Sequence, residues 1–146
     1  MPLFTADQAN RTLPLVSRIV RDIVTLYPRW RERVAEIELI AAGAHAGQPD
    51  PRRDVLEREA QGLAAEIDGC IRELHAIGIE YKMPFDAGLV DFPSEIDGRP
   101  VYLCWRLGED AVEHWHDLDA GFAGRRRIGA SGIAHRTSDI GAPPVD

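Results

Sequence analysis

At 146 residues, 45% of them hydrophobic and 28% charged, the chain has the size and make-up of one soluble globular domain. Its formal charge of -7 excludes a general affinity for nucleic acid or an anionic membrane, since both depend on clustered cationic side chains. No apolar run approaches the roughly 20 residues of a membrane span, and the N-terminal MPLFTADQ has neither the basic nor the apolar region of a signal peptide, so a cytoplasmic location is expected.

Thr5 followed by Gln8 is a capping box, in which a hydroxyl accepts from an exposed backbone N–H while the amide reaches back, and a helix is predicted to start there. Ala9, Leu13, Val16, Val20, Ile23, Tyr27, Trp30, Val34 and Ile37 then recur at alternating steps of four and three, a sustained heptad seam. Pro14 and Pro28 interrupt it and predict kinks, or a short first segment ending before Pro14. Residues 41–53, AAGAHAGQPDPRR, are rich in Gly and Pro and form the expected connection, with His45 a solvated loop residue. A second seam of Leu56, Ala60, Leu63, Ile67, Cys70, Leu74 and Ile77 follows, and Gly78 supplies its stop. Two matching seams joined by a loop imply an antiparallel helical hairpin over 5–78, in which Cys70 is a small buried hydrophobe. The two cysteines, Cys70 and Cys104, form no CxxC pair, which excludes a cysteine-based structural zinc site and predicts free thiols.

After a short extended piece at 79–82, a small sheet is predicted. Asp97-Gly98 is the dipeptide of a two-residue type I′ hairpin, and counting outward from it sets Phe92 against Leu103, Asp91 against Cys104 and Val90 against Trp105. Val90, Phe92, Leu103, Trp105 and Leu107 then share one face, and Asp91, Tyr102, Cys104 and Arg106 share the other. A third strand over 112–118, reached by a three-residue turn, would put Trp115 opposite Trp105 and set His114 and His116 beside Arg106 and Cys104; a helix over 109–116 is the competing assignment. The residues after 128 are small, polar and Gly/Pro-rich and are expected to be a flexible tail.

The expected fold is therefore α+β, one domain over 1–128 with a long antiparallel helical hairpin packed on a three-stranded antiparallel meander (79–128), and a tail over 129–146. The runs FTADQAN and LPLV near the N-terminus, then GLVDFP, DGRPVYLCWRLGE and WHDLDAGFAGR, carry a resemblance to the prokaryotic domain of unknown function 2203 family. That resemblance implies a fold and a motif and supplies no reaction; the motif residues it picks out here are Asp91, Cys104, Trp105, Glu109, His116, Gly121 and Arg125. The family pattern has an aromatic residue where this chain has His114.

The chemistry is expected on the polar sheet face. Histidines two apart on a strand point the same way, with backbones roughly 6.5 to 7 Å apart, so His114 and His116 with Asp91 or Glu109 make a candidate site for a divalent metal, Fe, Zn or Mn, and a carboxylate and a cysteine facing His116 are an alternative set. Asp91, Cys104, Glu109 and His116 are the candidate catalytic residues; a second reading of Cys104, His116 and Asp91 is nucleophilic chemistry, with the imidazole raising the thiolate fraction. Arg106 and Tyr102 line the same face, and Arg125 leads a cationic run whose guanidinium fork suits an anionic small molecule. The function expected is a metal-binding protein or metal-dependent small-molecule enzyme. The alternative is a non-catalytic module whose helices form a homo-oligomer through the seam.

Overall fold

The computed structural model describes residues 2–43 and 48–129. His45, His135 and the tail beyond residue 129 lie outside the described residues. The capping box forms at both ends: the Gln8 backbone N–H donates to Thr5 Oγ1 (3.0 Å) and the Thr5 backbone N–H donates to Gln8 Oε1 (2.9 Å). From it α1 runs as one helix, Ala6–Gly43, through both Pro14 and Pro28, so no short first segment ends before Pro14. Seam burial on either side of each proline outweighs its local cost of about 3 kcal/mol. The second helix, α2 (Pro51–Ala76), opens on Asp50, whose carboxylate accepts from the Arg52 N–H, with Pro51 in the first turn where its missing donor costs nothing. The two helices pack together as the predicted hairpin.

The sheet has five antiparallel strands in chain order: β1 (Glu80–Tyr81), β2 (Leu89–Ile96), β3 (Arg99–Arg106), β4 (His114–Asp117) and β5 (Arg126–Arg127). The meander of three that the pattern predicts is its centre; the two edge strands are two residues each, too short to carry a period. Asp97 and Gly98 both take positive φ, 51° and 76°, as the type I′ turn demands, and β2 pairs with β3 in the predicted register. Val90, Phe92, Leu103, Trp105 and Trp115 are buried on the helix-facing side and join Val16, Val20, Ile23, Leu63 and Leu74 in one core. The segment before α1 is tied to the same sheet, with the Phe4 N–H donating to the Pro93 carbonyl (2.7 Å) and Ser94 Oγ to the Phe4 carbonyl (2.7 Å).

Strand β4 differs in register from the expectation. Trp115 lies opposite Leu103, two positions before Trp105 on β3, and His114 faces Cys104 where Arg106 was expected. Residues 107–113 do not make a three-residue hairpin turn, and β4 is an extended strand where a helix over 109–116 was the rival. The Glu109 N–H bonds the Arg106 carbonyl (3.0 Å), the Trp105 indole N–H reaches the Glu109 carbonyl (3.0 Å), and Asn10 on α1 grips the Val112 backbone, accepting from its N–H at 2.7 Å and donating to its carbonyl at 3.4 Å. Because the shift is an even number of residues, every side chain keeps its predicted face.

Two glycine substitutions separate strain from clash. Gly98→Ala meets nothing within 4 Å and should cost about 1–2 kcal/mol for its positive φ alone. Gly88 also has positive φ (71°), but a Cβ there would lie 2.9 Å from Leu107 Cβ, so Gly88→Ala should cost roughly 1–3 kcal/mol more. Urea unfolding of the two variants checks the order; equal losses would mean that the β2–β3 edge yields freely at Leu107.

Candidate functional site

On the face turned away from the helices, the strand register sets Glu80, Asp91, Cys104, His114 and Arg127 in one cross-strand row. His116 and Tyr102 pair in the next row. The alternation that buries Val90 and Trp105 on one side thus gathers the titratable groups on the other. Asp91, Cys104 and His116 are 2%, 1% and 2% exposed, so this centre is dry despite lying on the polar face. One ligand atom from each lies within 4.8 Å of the other two.

His116 is held at both ring nitrogens. Nδ1 lies 2.7 Å from the Asp117 carbonyl oxygen, and since a carbonyl only accepts, Nδ1 carries a proton. Nε2 lies 3.0 Å from Asp91 Oδ1. In the neutral ring the Nε2 lone pair would point at a carboxylate lone pair, a repulsion relieved by a second proton or by a metal ion between them. Burial disfavours the charged ring, but the hydrogen bonds to Asp91 and to the Asp117 carbonyl, with the Cys104 sulfur nearby, outweigh it and push the imidazole up to about 10. Without metal, the His116 ring is the imidazolium at neutral pH. A relay of cysteine, histidine and aspartate needs the thiol on one ring nitrogen and the carboxylate on the other. Here the main chain takes one nitrogen and Asp91 the other, so Cys104 has no ring nitrogen of its own.

Beside this centre stands a second ion pair. Arg125 forks onto Glu109, Nη1 to Oε1 at 3.0 Å and Nη2 to Oε2, and the Arg106 backbone N–H also donates to Oε1 at 2.9 Å. Burial opposes ionisation of Glu109, but the Arg125 guanidinium and the Arg106 N–H hold its carboxyl below the usual range. Glu109 therefore shapes the turn after β3 and anchors Arg125. His114 Nδ1 is 4.0 Å from Glu109 Oε2 and has no hydrogen-bond partner among the described residues; burial, then Arg125, lowers its pKa, so the ring is neutral at pH 7. The structure thus separates the four predicted metal ligands into two groups, Asp91 and His116 with Cys104, and Glu109 and His114 with Arg125.

Arg106 does not sit beside His114; its Cζ lies 5.6 Å from the centre of the Phe122 ring, whose other neighbour is Arg125 at 4.2 Å. Tyr102 donates to Glu80 Oε2 (2.7 Å), and that bond together with burial pushes the phenol up to about 12. Its ring packs on His116 at 5.6 Å. Glu80 and Lys82 are site neighbours that the pattern did not single out: Lys82 Nζ is 3.8 Å from Glu80 Oε1 and 3.9 Å from Asp91 Oδ2. Their alternation within 79–82 was the available signal, but a two-residue strand gives no way to assign the partner.

The chain belongs to the family described as Uncharacterized conserved protein (DUF2203), which matches it over residues 2–128. No curated protein and no solved structure matches it.

The sign of the His116 linkage follows from its raised pKa. The unfolded ring titrates near 6.5 and the folded one near 10, so the stabilisation by the imidazolium is full below about 6.5 and is lost as pH rises through 10. Metal-free protein in chelator should lose thermal stability steadily from pH 7 to 10, and Asp91→Asn should flatten that slope. An equal slope in both proteins would mean that the Asp91 pair does not hold the proton.

Proposed function

We propose that this member of the DUF2203 family binds one divalent transition-metal ion through Asp91 Oδ, Cys104 Sγ and His116 Nε2. The single observation behind the reading is that His116 Nδ1–H is spent on the Asp117 carbonyl, which aims Nε2 at Asp91 and Cys104. Metal-ligating histidines are oriented in this way, with the second nitrogen donating to a carbonyl or carboxylate that fixes the tautomer. Tetrahedral zinc at about 2.0–2.3 Å from its ligands sets them roughly 3.3–3.8 Å apart, and a 4.8 Å cluster closes to that with side-chain shifts of about 1 Å. A thiolate donor favours zinc or iron over manganese.

Three protein ligands leave a fourth position for water or for a small molecule, the pattern of reactive rather than purely structural sites. The finer reading is a metal-dependent enzyme for an anionic small molecule, with Arg125 as the group that orients the anion and Glu109 holding Arg125 in place. Tyr102, Glu80 and Lys82 close the other side. Glu109 and His114 are in this reading neighbours of the metal rather than its ligands.

Tag-free protein prepared without chelator and reconstituted with zinc, ferrous iron or manganese tests the site by elemental analysis, with one ion per chain expected for zinc or iron. Cobalt substitution should give the thiolate charge-transfer band, lost in Cys104→Ser, while His116→Ala should lose the metal. Folded protein that takes up none of the three ions overturns the reading. Below its pKa of about 10 the His116 proton competes with metal, and Cys104 gives up its thiol proton on ligation, so affinity should climb by up to about a hundredfold per pH unit between pH 6 and 8, with release of two protons on binding. A flat profile would place the metal on other groups.

A further inference from the structure

One stripe of α1 is used twice over its length, once covered and once open. Ala9, Val16 and Val20, each fully buried, meet the sheet in the first half of the helix. The same stripe, at steps of four and three, continues through Tyr27, Arg31, Val34 and Glu38. Past Leu26 no described residue of α1 is buried, and in α2 none is buried before Ala60. The outer half of the hairpin is therefore an arm of two helices with no third layer over it. Trp30, Val34, Ile37 and Ile40 remain half-exposed along it, and Leu39 and Val55 are 74% and 46% exposed. An apolar groove of about 220 Å³, lined by Tyr27, Trp30, Ala64, Ile67, Ile71 and Phe85, marks where the cover of the sheet ends.

We propose that the occupant of this open stripe is a second copy of the chain, packed arm to arm and antiparallel to complete a four-helix bundle. The charges on the stripe argue for it. Arg31 and Glu38 flank Val34 on the same face, one basic and one acidic, a turn on either side of it. A two-fold axis beside Val34 and Ala35 sets Arg31 of each copy against Glu38 of the other, the self-complementarity an isologous interface requires. A parallel arrangement would set like charges together. The internal partners of Arg31 are weak: Asp86 lies 3.6 Å away, with the two side chains 60% and 46% exposed, and the Tyr27 ring centre is 5.7 Å from its Cζ, so the guanidinium is available at little cost. Size is adequate too. Residues 27–43 rise about 25 Å, and two helices side by side, each about 10 Å across, give on the order of 500 Å² per copy, or about 1,000 Å² in all, the lower bound for a specific interface. The arm extends from helices that pack on the face of the sheet opposite Asp91, Cys104 and His116 and shares no residue with that centre, so the proposal stands independently of the metal reading.

Sedimentation of the full chain over the micromolar range tests it. The wild type should show a concentration-dependent monomer–dimer equilibrium. Arg31→Glu or Glu38→Arg alone should weaken the dimer about tenfold, because each reversal sets like charges together at two symmetric places, and the two combined should restore it. Val34→Asp should leave monomer only, with far-ultraviolet circular dichroism and metal uptake unchanged. A wild type that stays monomeric throughout overturns the proposal, whether or not the arm takes some other helical protein. Single reversals without effect, or a double reversal that fails to restore, overturn the antiparallel pairing.

Discussion

The reversal at Asp97-Gly98 is the constraint on which both the core and the candidate site depend. Two residues at positive φ leave the strands one register, and that register pairs Asp91 with Cys104 and Val90 with Trp105 at once. A slip of one residue on either strand would turn Trp105 or Phe92 to the polar side and drive Asp91 under the helices. Losing a buried indole or phenyl costs roughly 3–5 kcal/mol, and a carboxylate without a partner in the core costs several more. The apolar face thus guards the geometry of the polar one. The same lever extends to β4, where Trp115 must face the core, so His114 and His116 must face Cys104 and Tyr102.

How much of this was legible follows the range of the interactions involved. Capping at Thr5 and Gln8, the two seams and the hairpin turn are written within a few residues of one another, and each lies where the pattern puts it. The face of every strand residue was readable for the same reason. The position of β4 was not, because residues 107–113 are shaped by Asn10, a hundred residues away, and by the Glu109 carboxylate folding back on the Arg106 N–H. Nothing in the local spacing announces either contact. Edge strands β1 and β5 exist because their neighbours offer open hydrogen-bonding rims, so Glu80 and Lys82 reach the site through tertiary pairing alone.

The same long-range contacts explain why Glu109 and His114, which spacing groups with the other candidate ligands, stand apart from them. Arg125 follows a 3-10 turn at Phe122–Gly124 that brings the chain back over the polar face, and its fork claims both oxygens of Glu109. Breaking such a half-buried bidentate pair to ligate a cation would leave the guanidinium unpaired beside Cys104. Phe122 lies between Arg106 and Arg125. In the proposed metal site Cys104 is then the third donor, one that a strand pattern alone ranks low, since a buried cysteine is so often packing.

Charge balance accounts for a centre that is both polar and almost fully buried. Without metal, His116 is cationic with its proton shared toward Asp91, and an imidazolium counted formally with a carboxylate and a thiol sums to zero. In the proposed metal-bound form, a divalent ion meets an aspartate, a thiolate and a neutral imidazole, and the sum is again zero. A dry site tolerates either state because neither leaves a net charge without water. Replacing two protons by one divalent ion is then the single exchange that changes the occupant while conserving the charge. The neighbouring Arg125–Glu109 pair, itself neutral, adds dipoles to this environment without upsetting the balance.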